Sequence, residues 1–168
     1  MPTVIDRAAF LEAIEAKNAD QTRAFLQRDD AKQLLLMKNI DGPLPIHDDC
    51  FFRIDKKRLQ LILDAAAQHG IAKQMLEEKH DYGKTCLHDA CGNELQVDSF
   101  RLLLEHLSKH ADIKKILEET SNGGWSCLHS ACCYELQIDS FRLLLQYLSE
   151  HANIKQLLEE RNTGGWTC

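Results

Sequence analysis

The sequence lacks the features that mark membrane, secreted and nucleic-acid-binding proteins. No apolar run approaches the roughly 18 residues that a membrane-spanning helix requires, and the best candidate, which begins at Leu59, is interrupted by Asp64. The first ten residues contain neither the basic nor the apolar segment of a secretory signal peptide. A formal net charge of -6 at pH 7 leaves no excess of basic residues to bind a phosphate backbone. We therefore expect a cytoplasmic protein with no membrane span and no nucleic-acid partner.

The sequence also lacks the short motifs of common enzyme classes. It contains no glycine-rich phosphate loop, no Gly-x-Ser-x-Gly, no His-Glu-x-x-His and no calcium-binding loop. The seven cysteines are an odd number, and no secretory signal accompanies them. We therefore expect free thiols that are buried as small hydrophobic residues.

What the sequence does contain is an internal repeat with a period of 41 residues. Thr-Cys-Leu-His at residues 85–88 recurs as Ser-Cys-Leu-His at residues 126–129, and a more distant copy, Leu-Pro-Ile-His, occupies residues 44–47. Glycines and cysteines keep the same register: Gly42, Gly83, Gly124 and Gly165, and Cys50, Cys91 and Cys132. The period divides the chain into a divergent first repeat of capping helices (1–41), three repeats (42–82, 83–123 and 124–164) and the start of a truncated repeat (165–168).

Each repeat carries the apolar periodicity of helices. In residues 94–119, apolar side chains fall at i, i+3, i+4 and i+7, which predicts an amphipathic helix, and Asp98 is placed to cap its N-terminus. This stripe consists of Phe100, Leu103, Leu104 and Leu107. A shorter apolar cluster follows at 72–76, 113–117 and 154–158. We therefore predict a short helix beginning near the Cys-Leu-His, a longer helix and a brief third helical segment, with no strands.

The glycine, the Thr/Ser-x-Leu-His-x-Ala and the leucine-rich helix together resemble the ankyrin repeat, whose signature reads T-P-L-H-x-A. The resemblance covers residues 42–164 and implies an all-α, ankyrin-like helical-repeat solenoid with two to three helices per repeat. Ankyrin units have about 33 residues, and most of the extra residues here lie where the family forms a β-hairpin finger. Because that region has a helical pattern, we expect shortened or replaced fingers.

Enlarged ankyrin-like repeats of this kind are similar to those of effector proteins that bacterial pathogens inject into host cells. The resemblance implies that the chain is the N-terminal part of such an effector, which would bind a host protein in the host cytosol.

The repeated Cys-Leu-His admits two interpretations, a metal or thiol site and a structural turn. Zinc ligands must converge within about 2.0–2.3 Å of one point. On a helix, the side chains at positions 86 and 91 differ in direction by about 140°, and those at positions 86 and 88 by about 200°. In the ankyrin family the Thr/Ser hydroxyl and the imidazole instead bond to the backbone and tie adjacent repeats together. A nucleophilic cysteine would need an exposed thiol, and Cys133 is the one that we expect to be exposed. We predict no catalytic residue, no cofactor and no bound metal, with a thiol- or metal-dependent enzyme as an alternative.

The resemblance further implies a protein–protein interaction scaffold, not an enzyme, which binds another protein on its concave face. Ankyrin-like folds bind through variable positions beside the signature, and three such columns differ between these repeats. The predicted partner-binding residues are Lys84, Trp125, Trp166, Asp48, Asp89, Ser130, Phe51, Phe52, Asn93, Cys133 and Tyr134. Trp125 is predicted as the main anchor because tryptophan is enriched at interface hot spots. Asp48 and Asp89 would favour a basic partner.

The end of the sequence leads to two further expectations. The repeat that starts at residue 165 stops before its Leu-His, so we expect the natural protein to continue past Cys168. An enzyme whose catalytic domain lies there, with this chain as its recruitment arm, is an alternative function. Terminal repeats normally present a polar outer face, which the last repeat lacks. We therefore expect apolar surface around Leu144, Leu148 and Leu158, and self-association through this end.

Overall fold

The chain forms a stack of helical repeats. A computed structural model describes residues 4–16, 18–38, 43–47, 55–93 and 95–168. Across these ranges the regular structure is helical, and the only β pairing is an isolated bridge between Thr120 and Ser126. The predicted all-α helical-repeat solenoid is confirmed. None of the described helices is both long and apolar enough to cross a membrane.

Three helices precede the repeats: α1 (Val4–Glu15), α2 (Ala19–Leu26) and α3 (Ala31–Leu35). The rings of Phe10 and Phe25 meet edge to face across α1 and α2, with centroids 5.7 Å apart. Helix α2 also packs on the first long helix of the repeats, α4 (Lys56–Gln68). The N-terminal helices therefore cover one end of the core, as expected of capping helices.

The repeats show the predicted order of a short helix, a long helix and a brief third helix. Residues 45–47 are helical and are followed, after a gap, by α4 and α5 (Ala72–Glu77). The next repeat contains α6 (Cys86–Gly92), α7 (Val97–His110) and α8 (Ile113–Glu118). The last contains α9 (Cys127–Cys133), α10 (Ile138–His151) and α11 (Ile154–Glu159). Each helix of the last repeat begins 41 residues after its counterpart, so the sequence period is also the structural period.

Helix α7 begins two residues earlier than the sequence pattern predicts. Its N-cap is Gln96, whose side chain makes no capping hydrogen bond, and Asp98 lies in the first turn. The prediction that Asp98 is the N-cap is therefore wrong. In the first turn its carboxylate still lies near the positive end of the helix dipole, which stabilises the helix by a fraction of a kcal/mol.

The apolar stripes of the long helices form a continuous core. The predicted stripe of α7 is completely buried, and so is the equivalent stripe of α4. Burying each Leu or Phe side chain contributes about 1.5–3 kcal/mol of transfer free energy. Short helices pack on short helices and long helices on long helices, as in the pairs α6–α9, α4–α7 and α7–α10.

Two of the three leucines predicted to form exposed apolar surface at the last repeat are buried. Leu144 and Leu148 are fully buried because α10 packs against α7 and α8, and only Leu158 is exposed, at 48%. The expectation for Leu144 and Leu148 is therefore wrong. Their apolar stripe faces the preceding repeat.

Candidate protein-binding surface

The short helix of each repeat begins with a reciprocal cap between the Thr/Ser and the histidine. The side chain of Thr85 accepts from the backbone N–H of His88, and the N–H of Thr85 donates to Nδ1 of His88 at 3.2 Å. Ser126 and His129 form the same pair before α9. A histidine thus fills the place that glutamate or glutamine takes in an ordinary capping box.

The other ring nitrogen connects each repeat to the next. Nε2–H of His88 donates to the carbonyl oxygen of Trp125 at 2.9 Å, and Nε2–H of His129 donates to that of Trp166 at 3.1 Å. Burial lowers the pKa of His88 to about 4, so its neutral ring is the form present at neutral pH. The prediction that the imidazole ties adjacent repeats together is confirmed. The same hydrogen bond fixes the position of the backbone at Trp125 and at Trp166.

The Cys-Leu-His segments are structural. Both ring nitrogens of His88 and His129 are used in hydrogen bonds, which leaves neither free for a metal. Over the described ranges, no three His, Cys, Asp or Glu side chains are grouped so that they could hold a metal ion. Burial raises the pKa of the Cys127 thiol to about 12, which disfavours a reactive thiolate. The absence of a cofactor stays a prediction.

Between the repeats lie three tight hairpin turns, which contain no assigned strands and which we call the hairpin row: residues 80–84, 121–125 and 162–166. In each, the first residue donates its N–H to the carbonyl of the fifth, at 3.1, 2.9 and 3.0 Å. The fourth residue is always a glycine with positive φ, as a three-residue hairpin loop requires. The fingers are therefore present in shortened form.

Backbone hydrogen bonds join neighbouring hairpins into a continuous row. The N–H of Asn122 donates to the carbonyl of Tyr82, and the N–H of Thr163 donates to that of Gly123, both at 3.0 Å. A side chain at Gly83 would collide with Asn122, whose Oδ1 would lie 2.3 Å from the added Cβ. The hairpins are thus held at a fixed separation and orientation.

One edge of the indole ring of Trp125 and of Trp166 lies against its own hairpin. An added Cβ at Gly123 would lie 3.2 Å from Cδ1 of Trp125, and one at Gly164 would lie 2.8 Å from Cδ1 of Trp166. The glycine two residues earlier therefore makes room for each indole. Trp166 is 73% exposed. Trp125 is half-buried, with the Tyr134 ring centroid 6.4 Å away.

An open groove of about 260 Å³ separates the two tryptophans. Its other lining includes His129, Asn162 and the exposed Cys133, and none of the side chains that line it carries a permanent charge. The side-chain Oδ1 of Asn162 accepts from the backbone N–H of Trp166 at 3.1 Å, which holds this side of the groove in place. The groove is therefore an apolar, aromatic-walled cleft with a fixed shape.

This geometry agrees with the comparison of the sequence with known families. A family model for ankyrin repeats (3 copies) matches residues 62–167. The chain belongs to the ankyrin-repeat family. No curated protein matches it. Ankyrin repeats are protein–protein interaction modules and are typically non-catalytic.

Six of the predicted partner-binding residues reach the surface of this ankyrin domain. Trp166, Tyr134 and Cys133 are exposed, whereas Lys84, Trp125 and Asn93 are half-buried. The hairpin row and the C-terminal ends of the short helices bring most of them to one side. Asp48, Phe51 and Phe52 lie outside the described residues.

Two of the predicted residues lie in the interior of the ankyrin stack. Asp89 is 5% exposed and Ser130 is 1% exposed. Asp89 is covered by the hairpin residue His80, whose Nε2 lies 3.6 Å from its Oδ2. The structure therefore gives no support to an acidic surface at Asp89, and these two residues are not part of the candidate surface.

Cys132 is exposed, although the repeat pattern predicts a buried position for it. Cys86, Cys91 and Cys127 are buried free thiols, as expected, but both Cys132 and Cys133 are exposed. The equivalent of Cys132, Cys91, lies in the layer where α6 packs against α9. Cys132 instead lines the groove.

Sequence reasoning missed the glycines that support the tryptophans and the exposed Tyr82. Gly-Gly-Trp occurs in two hairpins, whereas the first hairpin has Tyr82, Gly83 and Lys84 in the same places. A glycine precedes each tryptophan by two residues, whereas Tyr82 precedes Lys84. This paired difference between the hairpins indicates that the two positions are in contact. The effector assignment, the recruitment-arm alternative, the repeat boundaries and self-association through the last repeat stay predictions.

Proposed function

We propose that this ankyrin domain binds a partner protein on its concave face, along the hairpin row, with Trp166 and Trp125 as the anchoring side chains. The observation that carries the proposal is that Trp125 and Trp166 occupy the same position on neighbouring hairpins and line one groove, with the backbone at Trp166 held by His129 and Asn162. Hydrogen bonds fix the backbone beneath both indoles, and both side chains reach the surface of the described chain. That combination is typical of an interface residue.

Burial of the two tryptophans by a partner protein would contribute a large part of the binding free energy. Large aromatic side chains dominate interface energetics, and truncating a central tryptophan typically costs about 2 kcal/mol or more. Here one edge of each indole lies against a glycine of its own hairpin, and hydrogen bonds hold the backbone beneath it. A preorganised anchor loses less entropy on association than a mobile one.

The proposed interface is aromatic around the two tryptophans and becomes basic toward the first hairpin. Trp125 packs near Tyr134 and the ring of His129, whose centroid lies 6.2 Å away, while Trp166 projects further into solvent. At the other end of the row, Lys84 occupies the same hairpin position as the tryptophans. The proposed interface therefore has an aromatic centre and a basic flank.

The test is to compare capture of partners by the parent chain and by a Trp125→Ala/Trp166→Ala variant. The control is Lys114→Ala, which changes an exposed residue of α8 away from the hairpin row. We expect the parent and the control to retain the same protein, identified by mass spectrometry, and the double variant to lose it while keeping its helical circular dichroism. Equal retention by the folded double variant would place the binding site elsewhere.

A further inference from the structure

The first hairpin of the row contains a cluster of titratable side chains that the proposed interface does not use. His80 begins this hairpin and lies over α6, with its Nε2 3.6 Å from Oδ2 of Asp89. Its ring also contacts the ring of His47, with centroids 5.4 Å apart. Only 9% of the His80 side chain and 6% of the Asp89 side chain are exposed. The cluster therefore joins the helical segment at residues 45–47, the first hairpin and α6.

The neutral form of His80 stabilises its own hairpin. The backbone N–H of Tyr82 donates to Nδ1 of His80 at 3.1 Å, so the proton of the neutral ring is on Nε2. At 3.6 Å this Nε2–H is too far from Oδ2 of Asp89 for a hydrogen bond. Among the described residues, Oδ2 of Asp89 has no hydrogen-bond partner. A buried carboxylate oxygen, which is costly to leave without a donor, thus lies close to a ring N–H.

The two neighbouring histidines do not supply that donor. Nδ1 of His47 accepts from the N–H of Leu44 at 3.2 Å, and its Nε2–H donates to the carbonyl of Glu78 at 3.1 Å. Burial lowers the pKa of His47, so its ring is neutral at neutral pH. His88, which precedes Asp89 in α6, likewise uses both ring nitrogens in hydrogen bonds. His80 is therefore the ring of this cluster that is free to change its partner.

The other charged side chains near the cluster do not replace Asp89. In the described chain they are exposed, half-buried or paired with another element: Asp81, Lys84, Lys79 with Glu119, and Glu78 with Lys38. Asp89 is the buried carboxylate that faces His80.

The sister hairpins make the same kind of turn without a titratable group. The third hairpin begins with Asn162, whose Oδ1 accepts from the N–H of Gly164 at 2.9 Å, two residues further on as in the first hairpin. The second hairpin begins with Ser121, and Ser130 occupies the position of the aspartate in α9. The histidine and the carboxylate therefore occur together in one repeat and are both replaced by serine in the next.

From this geometry we propose that His80 is a pH-dependent switch between two hydrogen-bond partners, the backbone N–H of Tyr82 and the carboxylate of Asp89. A proton that is taken from solvent onto Nδ1 removes the acceptor for Tyr82. The charged ring then moves toward Asp89, and its Nε2–H donates to Oδ2 in a charge-assisted hydrogen bond.

The switch changes one end of the hairpin row. Acidification releases the backbone at Tyr82, whose side chain is 71% exposed, and connects the start of the hairpin to α6. The inference does not depend on the proposed function, because it concerns the conformation of the hairpin and not its partner.

The experiment records the backbone amide and histidine ring signals of the full chain by NMR between about pH 8 and 5.5, where histidine changes its charge. At the higher pH, the His80 ring should carry its proton on Nε2. On acidification, the Tyr82 amide signal should shift together with the His80 ring signals. Its protection from hydrogen exchange, relative to that of Gly164, should fall by about two- to tenfold, as expected for the loss of one hydrogen bond. The Gly164 amide, which is bound by Asn162, is the internal control.

Two variants separate the switch from a passive contact. His80→Asn introduces the residue of the third hairpin, keeps an acceptor for Tyr82 and should abolish the pH dependence of the Tyr82 amide. Asp89→Asn keeps the histidine and removes the charge. It should move the midpoint of the His80 titration to lower pH by about one unit, since a nearby opposite charge favours the charged form of histidine. Asp89→Ser introduces the residue of α9 and gives the same test if Asp89→Asn does not fold.

Three results would overturn the proposal. The first is a Tyr82 amide that does not follow the His80 ring, or that keeps its pH dependence in His80→Asn. The second is an unchanged midpoint in the folded Asp89 variant. The third is a neutral His80 ring with its proton on Nδ1, because that ring could not accept from Tyr82. None of these results depends on the tryptophans, so the proposed function is tested separately.

Discussion

His88 is expected to make the stability of the protein fall as the pH is lowered from 7 to 5. The ring is fully buried, its Nδ1 accepts from the backbone N–H of Thr85, and its Nε2–H donates to the carbonyl of Trp125. Protonation would remove the acceptor at Nδ1 and place a charge in an apolar interior. Burial is the largest cause that lowers the pKa of His88 to about 4, from an ordinary value of 6.5.

The sign follows from which state binds the proton more tightly. The unfolded chain takes up a proton at His88 near pH 6.5, whereas the folded chain does so only near pH 4. Between these values the unfolded state holds more protons, so stability decreases as the pH falls. The contribution of the neutral ring is complete above pH 6.5 and is lost progressively down to about pH 4.

The magnitude comes from the size of the pKa shift. Each pH unit between the two pKa values changes the free energy of unfolding by about 1.4 kcal/mol. Lowering the pH from 7 to 5 crosses about 1.5 units of this window, which corresponds to about 2 kcal/mol. Removing the ring by His88→Ala at pH 7 leaves buried backbone groups unmatched and should cost about 1–3 kcal/mol.

The assay is urea unfolding of the parent chain and of His88→Ala, each at pH 7 and pH 5. The stability difference between them should shrink by about 2 kcal/mol at pH 5, because the variant has lost the titrating group. Leu107→Ala is the matched control, since it removes a fully buried but non-titrating side chain and should cost about 2–5 kcal/mol at either pH. A parent-to-His88→Ala difference that is the same at both pH values would refute the reasoning.

Two further predictions concern the thiols and the hairpin glycines. Cys132 should react with a thiol reagent in the native protein, because its side chain is exposed, although partial burial raises the pKa of its thiol. Cys91 is fully buried and should react only after unfolding. A mass-spectrometric labelling time course that finds both modified at the same rate would contradict this. Gly83→Ala should destabilise the protein more than Gly70→Ala. Both glycines have positive φ, which costs alanine about 1–2 kcal/mol, but only Gly83 also lies against Asn122. Equal losses of thermal stability in the two variants would show that this contact can relax freely.

The sequence alone determined the repeat architecture of this protein and the buried faces of its long helices. The apolar stripe of each long helix involves residues a few positions apart, and the 41-residue period is visible directly as repeated sequence. Phe100 and Leu107 were therefore correctly assigned to the core, and His88 to a role in the backbone. Local spacing carries this information because a helix places i, i+3, i+4 and i+7 on one side whatever surrounds it.

The tertiary structure decided which of the variable positions face solvent. Asp89 and Ser130 follow the histidine in a variable column, yet the hairpin over the short helix buries them. Cys132 occupies the same repeat position as the buried Cys91 and is exposed. The conformation of Trp166 depends in the same way on a contact, with Gly164, that becomes visible only when the hairpin is folded. Burial of a single position depends on the neighbouring element that covers it, and repeats with the same sequence pattern are covered differently along the stack.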